Sequence, residues 1–277
     1  QEQFEEILKA FCFLSFFDQA YNFDYDYIDK LLKIVKSKIP KLEFDNNKFV
    51  SDLISAIALW TDDNGQYSFA HRSLQEYFAA LFIKNLNPID NERVYKKIIK
   101  NFSEVKKVSE IENFLTLCQE MDRLNFTKFY YLPLLYELKE IFNKTDDKSL
   151  IEAFVKFFSK GLELYPSKNH PQIVHINDHV YRTIYIHLPY TRALYHELRK
   201  LADSDLIKAK STPDEKRKNI RVFSFEQPIV PEVTELLQDN LITITKDFYS
   251  EILSKIKESE DLLISSSQTD KELIDLI

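Results

Sequence analysis

Glycine is scarce in this chain: its 277 residues include only Gly65 and Gly161, whereas about 7% of an average protein is glycine. Glycine and proline both interrupt helices, and the chain has only nine prolines. Hydrophobic residues account for 44% of the sequence, which is ample for a buried core at this length. The composition therefore favours a mainly α-helical protein over a loop-rich β architecture.

The same scarcity excludes the functional motifs that depend on glycine. A P-loop needs two glycines close together before its lysine, a dinucleotide fingerprint needs three, and a nucleophile elbow needs two around its serine. The two cysteines, Cys12 and Cys118, lie too far apart in sequence for the CxxC pair of a zinc site. We therefore expect no catalytic residue, no metal ligand and no cofactor belonging to this chain alone.

Charge and hydropathy restrict the partners. The formal net charge of −7 disfavours broad binding to nucleic acid or to anionic membranes. The richest apolar run, Ala10–Phe17, is too short to span a bilayer. The first residues are acidic, whereas a signal peptide starts with a basic segment. We expect a cytoplasmic protein with no membrane partner, and nucleic acid is disfavoured as a partner.

Residues 1–90 have the pattern of a small domain. Apolar spacing predicts a helix over residues 1–18, an acidic tyrosine-rich link over residues 21–27, a second helix that stops before Pro40, and a third helix capped by Asp45 or Asn46. Asn64-Gly65 then predicts a β-hairpin, because both residues tolerate positive φ. A fourth helix follows. Three helices and a hairpin wing are the order of a winged helix.

The remaining sequence predicts two further regions. Residues 91–165 have helical periodicity throughout and are predicted to be a region of helical hairpins, with Tyr130–Phe142 and Leu150–Leu164 as its last helices. The polar segment 166–171 is a candidate linker. Residues 166–277 are predicted to be a small α+β domain whose segments are as follows: strands over 173–176, 181–188 and 221–225, helices over 192–202 and 233–263, and a final short helix after Ser265.

One segment, residues 67–81, carries a resemblance. It resembles the winged-helix segment of NACHT-type STAND NTPases, the NLR-like signalling ATPases, whose pattern is an aromatic residue followed by x-Phe-x-His-x-Ser/Thr-Phe-Gln-Glu-Tyr/Phe-x-Ala-Ala. The matching positions are Phe69, His71, Ser73, Gln75, Glu76, Tyr77, Ala79 and Ala80. Leu74 stands where the family has an aromatic residue. The resemblance covers about the first 90 residues, and its specificity is concentrated in some fifteen of them.

The resemblance implies a function for the chain. In this family the NTPase core precedes the winged helix, so the Walker motifs, with ADP or ATP and Mg²⁺, would lie upstream of Gln1; the sequence begins without Met, which agrees with that expectation. The resemblance implies a non-catalytic regulatory and sensing C-terminal portion that restrains the core around ADP. An unknown trigger, such as a phage protein or another ligand, would release it and allow homo-oligomerisation in innate immune, anti-phage defence.

His71 is the residue to which the resemblance assigns a nucleotide contact, with the β-phosphate of ADP. It precedes a helix, and a helix N-terminus exposes N–H groups and a positive dipole that favour phosphate. Ser73 is predicted to cap that helix and Glu76 to complete a capping box, while Arg72 adds positive charge. The alternative is that His71 is a structural cap that touches no nucleotide.

The neighbouring motif residues have a structural interpretation. Gln75 and Glu76 are predicted to bond to backbone or to neighbouring helix ends. Tyr77 and Phe78 are predicted to lie in the core with Trp60, on a helix face shared with Leu74 and Leu81.

The sequence contains three other candidate functional features, and each has weaker support than the segment 67–81. His175, Asp178, His179 and His187 are close in sequence and raise the possibility of a metal site, or of an enzyme centred in residues 166–277, but they follow no ligand motif. The segment 208–221 is basic, and a solvated loop is favoured over a nucleic-acid contact because no aromatics interleave with its charges. The apolar stripe of helix 233–263 suits internal packing better than a partner.

One competing function remains for the predicted winged helix, a stand-alone nucleic-acid-binding regulator. Such a regulator would carry several Lys and Arg residues on its recognition helix and wing. Here the third helix has only Lys48, and the hairpin turn has Asp62 and Asp63 with no basic residue.

Overall fold

A computed structural model of the chain describes residues 2–39, 41, 43–102, 111–164, 172–175, 188–202, 204–214, 220–225 and 231–274. These residues form a mainly helical protein, as the composition predicted. The structure also contains two small antiparallel sheets. They divide into two compact units, Gln1–Ile98 with Ser109–Phe129 and Ile99–Val108 with Tyr130–Ile277. The first unit includes the whole predicted winged-helix segment 1–90, and the two predicted boundaries between the three domains stay predictions.

The first unit begins with helices and three short strands. Its first elements are α1 (Glu2–Phe17), β1 (Asn22–Phe23), α2 (Tyr25–Lys38), α3 (Asn46–Ser51) with a π-helical turn (Asp52–Ala56), β2 (Trp60–Asp63), β3 (Gln66–Phe69) and α4 (Arg72–Lys84). Asp24 caps α2 by accepting a hydrogen bond from the N–H of Tyr27, and Asp45 caps α3 in the same way from Lys48. The predicted cap at Asp45 is therefore confirmed.

A three-stranded sheet of order β1-β3-β2 organises this unit. The hairpin β2–β3 is confirmed, and Asn64 and Gly65 turn it with φ of 54° and 83°. Strand β1 was missed, because residues 21–27 were interpreted as a link. It pairs Asn22 with Ser68 and Phe23 with Tyr67. Two residues are too short a segment to show strand alternation in sequence.

An aromatic core holds the sheet against α1. The ring of Trp60 lies 5.2 Å from that of Phe11 and 5.6 Å from those of Phe23 and Phe69. All four side chains are buried. Such aromatic pairs add packing energy beyond the area they bury. The core therefore fixes the hairpin, and with it the start of α4.

Further helices follow α4, and the predicted helical character of residues 91–165 is correct for most described positions. The elements are α5 (Pro88–Phe102), α6 (Glu112–Met121), α7 (Arg123–Phe126), a π-helical turn (Thr127–Tyr131), α8 (Leu132–Phe142) and α9 (Asp147–Phe158). Pro133 occupies the first turn of α8, where its missing N–H is tolerated. The predicted helix Leu150–Leu164 is wrong beyond Phe158, because the chain there enters a strand.

A four-stranded sheet of order β5-β4-β7-β6 belongs to the second unit. Its strands are β4 (Ser159–Leu164), β5 (Gln172–His175), β6 (Thr212–Pro213) and β7 (Arg221–Ser224). The predicted strands at 173–176 and 221–225 are confirmed over these bounds. The candidate linker 166–171 and residues 181–187 of the remaining predicted strand lie outside the described residues, and Leu188 begins a helix.

The helices of this unit are α10 (Leu188–Ala202), α11 (Asp205–Lys210) and α12 (Pro231–Ile274). The predicted helices at 192–202 and 233–263 are confirmed. The predicted separate helix after Ser265 is wrong, because α12 continues without a break to Ile274. Phe248 on α12 packs against Phe142 of α8, Phe154 of α9 and Tyr190 of α10, with ring centroids 5.1, 5.6 and 5.1 Å away. The apolar stripe of α12 therefore packs against other helices of its own unit at Phe248, as predicted.

Candidate functional site

His71 lies between strand β3 and helix α4, and it is the N-cap of α4. Its backbone is extended, with φ of −142° and ψ of 129°, and its ring accepts a hydrogen bond from the backbone N–H of Ser73 at Nδ1. The distance from Ser73 N to Nδ1 is 3.3 Å, and Ser73 Oγ lies 2.6 Å from the same ring nitrogen. The side chain is exposed. His71 therefore presents an imidazole at the N-terminus of a 13-residue helix.

The predicted capping box was wrong. Ser73 is the second residue of α4 and not its cap, and the carboxylate of Glu76 does not return to the helix start. Glu76 is only 5% exposed, and it pairs with Arg72 Nε at 3.1 Å and accepts a hydrogen bond from Asn113 Nδ2 on α6. A buried carboxylate needs a charged or hydrogen-bonding partner, and Arg72 with Asn113 provides both. These partners hold Glu76 away from the cap.

Arg72 is half-buried, in contrast to the exposed His71. Its Nη2 donates to the hydroxyl of Tyr21 at 2.9 Å, and its guanidinium lies 4.0 Å from the centre of the same ring. Together with the ion pair to Glu76, these contacts compensate the charge of Arg72 within the unit. The predicted extra positive charge at the helix start is therefore matched by Glu76.

Gln75 has a structural role, as predicted. It is 1% exposed, and its Nε2 donates to Ser15 Oγ at 2.8 Å and to the carbonyl of Ala20 at 3.0 Å. Glu76, beside it, contacts α6 through Asn113. The two adjacent polar residues thus bind α4 to α1 on one side and to α6 on the other. This packing is enough to explain why Gln75 and Glu76 occur in the motif, and a contact with a ligand is not needed.

The buried face of α4 differs from the predicted one. The buried positions are Gln75, Glu76, Ala79, Ala80 and Ile83. The two alanines let α1 and α6 approach closely, and the polar pair finds partners there. The predicted face is the less buried one: Tyr77 is 41% exposed and Phe78 is half-buried, so the prediction of a core Tyr77 is wrong. Trp60, at 2% exposure, is a core residue as predicted.

The hairpin beside this site is acidic. Asp62 and Asp63 are exposed, and Asp62 Oδ1 accepts a hydrogen bond from the N–H of Gly65 at 2.9 Å. Asp62 therefore stabilises the turn. At the end of the third helix, Ser55, Ala56 and Ile57 are the exposed residues, and none of them carries charge.

A buried polar cluster was missed by sequence reasoning. Asp122, after α6, accepts hydrogen bonds from the hydroxyl of Tyr95 at 3.0 Å and from Asn125 Nδ2 at 2.8 Å. Tyr95 and Cys118 are fully buried. Burial raises the pKa of Asp122, of Tyr95 and of the Cys118 thiol. No motif signals such a cluster, because its members come from different helices.

The other sequence candidates have varied outcomes. His175 ends strand β5, whereas Asp178, His179 and His187 lie outside the described residues, so their cluster stays untested. Within the described ranges, no three His, Cys, Asp or Glu side chains converge as a metal site would require. Cys12 is fully buried, as predicted for a small hydrophobic residue, and burial raises its pKa.

The basic segment 208–221 is not simply a loop in its described part. It contains the end of α11, strand β6 and the start of β7. Arg221 Nε donates to Ser211 Oγ at 2.8 Å, and its Nη2 donates to the Ser211 carbonyl. Arg221 therefore links strand β7 to Ser211, the residue between α11 and β6.

The chain matches no family model, no curated protein and no solved structure. Among the helices of the described residues, none combines the length and the apolar character needed to cross a bilayer.

Proposed function

We propose that this chain is the non-catalytic regulatory and sensing C-terminal portion of a NACHT-type STAND NTPase. In this proposal residues 1–90 form a winged helix that holds the ADP-bound resting state. Residues 91–277 receive the trigger, a phage protein or another ligand, and couple it to homo-oligomerisation in cytoplasmic anti-phage defence. ADP or ATP, with Mg²⁺, binds an NTPase core upstream of Gln1.

The observation that carries the proposal is the position of His71. It caps α4, its Nδ1 is occupied by Ser73, and its exposed ring stands where backbone N–H groups and the helix dipole favour an anion. An imidazole N–H donates well to phosphate oxygen. A histidine in this place can therefore contact the phosphate of a nucleotide held by another domain.

The order of elements supports the winged-helix assignment. Three helices, a short strand between the first two, and a hairpin occur in the order α1-β1-α2-α3-β2-β3, and β1 joins the hairpin as the third strand. Of the motif residues, Gln75 binds α4 to α1 within this segment, whereas Glu76 binds α4 to α6, beyond residue 90.

The test uses the protein extended upstream to include the NTPase core. In His71→Ala we expect bound ADP to dissociate about 10- to 100-fold faster, as the loss of one hydrogen bond to a charged group predicts. Resting signalling should rise, and the melting temperature should stay within a few degrees of the parent. His196→Ala is the matched control, since His196 is an exposed histidine on α10.

Two results would contradict the proposal. One is an upstream reading frame that lacks a Gly-x-x-x-x-Gly-Lys-Ser/Thr motif after a predicted strand. The other is ADP retention and resting activity in His71→Ala equal to those of His196→Ala.

The alternative, a nucleic-acid-binding winged helix, is disfavoured by charge. The exposed end of the third helix is uncharged, and the hairpin presents Asp62 and Asp63. Fluorescence anisotropy with mixed-sequence duplex DNA at about 0.1 M salt tests it, because non-specific binders reach Kd values of about 10⁻⁴–10⁻⁶ M. Saturable binding in that range would favour the alternative.

A further inference from the structure

The hairpin turn contains a dipeptide whose chemistry the proposed function does not use. Asn64-Gly65 is the one place in the sequence where glycine follows asparagine. In such a pair the backbone nitrogen of glycine can attack the side-chain amide of asparagine, because glycine has no Cβ atom to hinder the approach. Both residues are exposed, and a Cβ atom at position 65 would meet no atom of the described residues within 4 Å. The turn is therefore open to water and uncrowded.

The reaction is a deamidation in which water is the co-reactant. The Gly65 backbone nitrogen loses its proton to solvent base and forms a bond to Cγ of Asn64. The bond from Cγ to Nδ2 breaks, Nδ2 takes up a proton and leaves as ammonia, and a five-membered cyclic imide remains. Water then opens the imide at either carbonyl, which gives aspartate or isoaspartate at position 64. No atom is oxidised or reduced, so the reaction needs no redox partner.

Both nitrogens of this reaction have a carboxylate partner in the structure. The backbone N–H of Gly65 donates to Asp62 Oδ1 at 2.9 Å, and Asn64 Nδ2 donates to Asp63 Oδ1 at 3.2 Å. The first contact is lost when the Gly65 nitrogen gives up its proton, and hydrogen bonds to charged acceptors are among the stronger ones. An ionised carboxylate also repels the negative charge that develops on the attacking nitrogen. The turn therefore combines a reactive dipeptide with a group that opposes its reaction.

We propose that Asn64 is a site of spontaneous deamidation and that Asp62 slows the reaction by holding the proton of the Gly65 nitrogen. The inference is independent of the proposed function. Isoaspartate would add one backbone atom to a two-residue turn between paired strands, in which Asp63 pairs with Gln66. The modification therefore disturbs the hairpin that precedes helix α4.

The rate of modification is measured on the folded chain in mildly alkaline buffer. Peptide mapping by mass spectrometry follows the exchange of the Asn64 amide for a hydroxyl group, and chromatography separates aspartate from isoaspartate. In Asp62→Ala we expect conversion about tenfold faster than in the parent, the lower end of the range for a hydrogen bond to a charged group. Asp62→Asn keeps an acceptor oxygen without the charge, and its rate should lie between the two. Asn143, which is exposed and followed by Lys144, is the internal reference and should convert far more slowly.

Two further variants separate the role of Asp62 from a change in charge and from a looser hairpin. Asp63→Ala removes the neighbouring carboxylate and leaves the Gly65 contact in place. We expect it to change the rate by about threefold or less, as for other exposed charges. Thr61→Val removes the cross-strand contact of Thr61 Oγ1 with Ser68 Oγ at 2.9 Å and leaves Asp62 unchanged. We expect it to deamidate at the rate of the parent, and the Gly65 amide signal in ¹H–¹⁵N spectra shows whether each variant keeps the turn.

Unfolding removes the Asp62 contact without any substitution. In denaturing guanidinium the parent and Asp62→Ala should convert Asn64 at rates that agree within about threefold, and both should be faster than the folded parent. Three results would overturn the inference. They are equal rates in the folded parent and folded Asp62→Ala, an equal acceleration in Thr61→Val, and no conversion of Asn64 in the unfolded chain.

Discussion

Asp122 is a half-buried carboxyl group whose hydrogen-bond partners include the hydroxyl of Tyr95 and the amides of Asn125 and Asn91. Desolvation raises its pKa, more than these hydrogen bonds lower it. The folded protein therefore keeps this proton at pH values at which the unfolded chain has released it. The resulting stabilisation is fully present below the unfolded pKa of about 3.9 and is lost as pH rises through the folded value.

Asp122→Asn removes this titration and keeps most of the shape and hydrogen bonding. We expect the free energy of unfolding of the parent, minus that of the variant, to fall as pH rises from about 4 to about 7. Urea unfolding of both proteins across this range measures the difference. Groups that titrate in both proteins cancel. A difference that grows with pH would mean that the site favours the charged carboxylate, and the assignment would be wrong.

Sequence reasoning at the scale of residues succeeded for some positions and failed for others. His71 was correctly placed at a helix start, because the hairpin and the following periodicity are local signals. The predicted cap was Ser73, because Glu76 three residues later completes a capping-box pattern, with His71 as the alternative cap. Tyr77 was assigned to the core from its apolar spacing. The structure buries Gln75 in its place, because Ser15 and the Ala20 carbonyl offer partners that no local pattern reveals.

At the scale of elements, strand β4 begins where the sequence pattern predicts that a helix continues. Its sequence continues the periodicity of α9, yet the helix ends at Phe158 and Ser159 begins the strand. At Gly161 the backbone approaches β7 so closely that a Cβ atom would lie 2.2 Å from the carbonyl oxygen of Phe223. Only glycine allows this pairing without a shift of one strand.

The two glycines of the chain form a matched pair for a test. Gly161→Ala should lower the free energy of unfolding by about 1–3 kcal/mol through overpacking, in addition to the backbone penalty of its positive φ of 158°. In Gly65→Ala the new methyl group meets no atom within 4 Å, so only the backbone penalty of positive φ remains, about 1–2 kcal/mol. Chemical unfolding measures both. A smaller loss for Gly161→Ala than for Gly65→Ala would contradict the close approach of β4 to β7.

At the scale of the whole molecule, the proposed function gives this chain one edge of a nucleotide site and not a complete one. One hydrogen bond to a charged group contributes about 1.5–3 kcal/mol, whereas a Kd of 1 mM already requires about 4 kcal/mol. The chain has no glycine-rich loop to supply the remainder. Affinity for ADP must then come from the proposed upstream core.

We therefore expect titration calorimetry of this chain alone to detect no ADP binding at ligand concentrations up to about 1 mM. The protein extended to the NTPase core, measured with Mg²⁺, is the positive control. Micromolar binding by the chain alone would place a complete site within it, and the proposed division between core and regulatory portion would fail.

The sequence by itself determined the features that depend on neighbouring residues. These are the mainly helical class, the Asn64-Gly65 turn, the Asp45 cap and the helix start at His71, since each depends on backbone preferences or on partners a few positions away. Tertiary structure alone decided which face of α4 is buried, where α9 gives way to β4, and that β1 joins the hairpin. Each of these depends on groups distant in sequence, because close packing and the pairing of buried polar atoms are satisfied only when those groups meet.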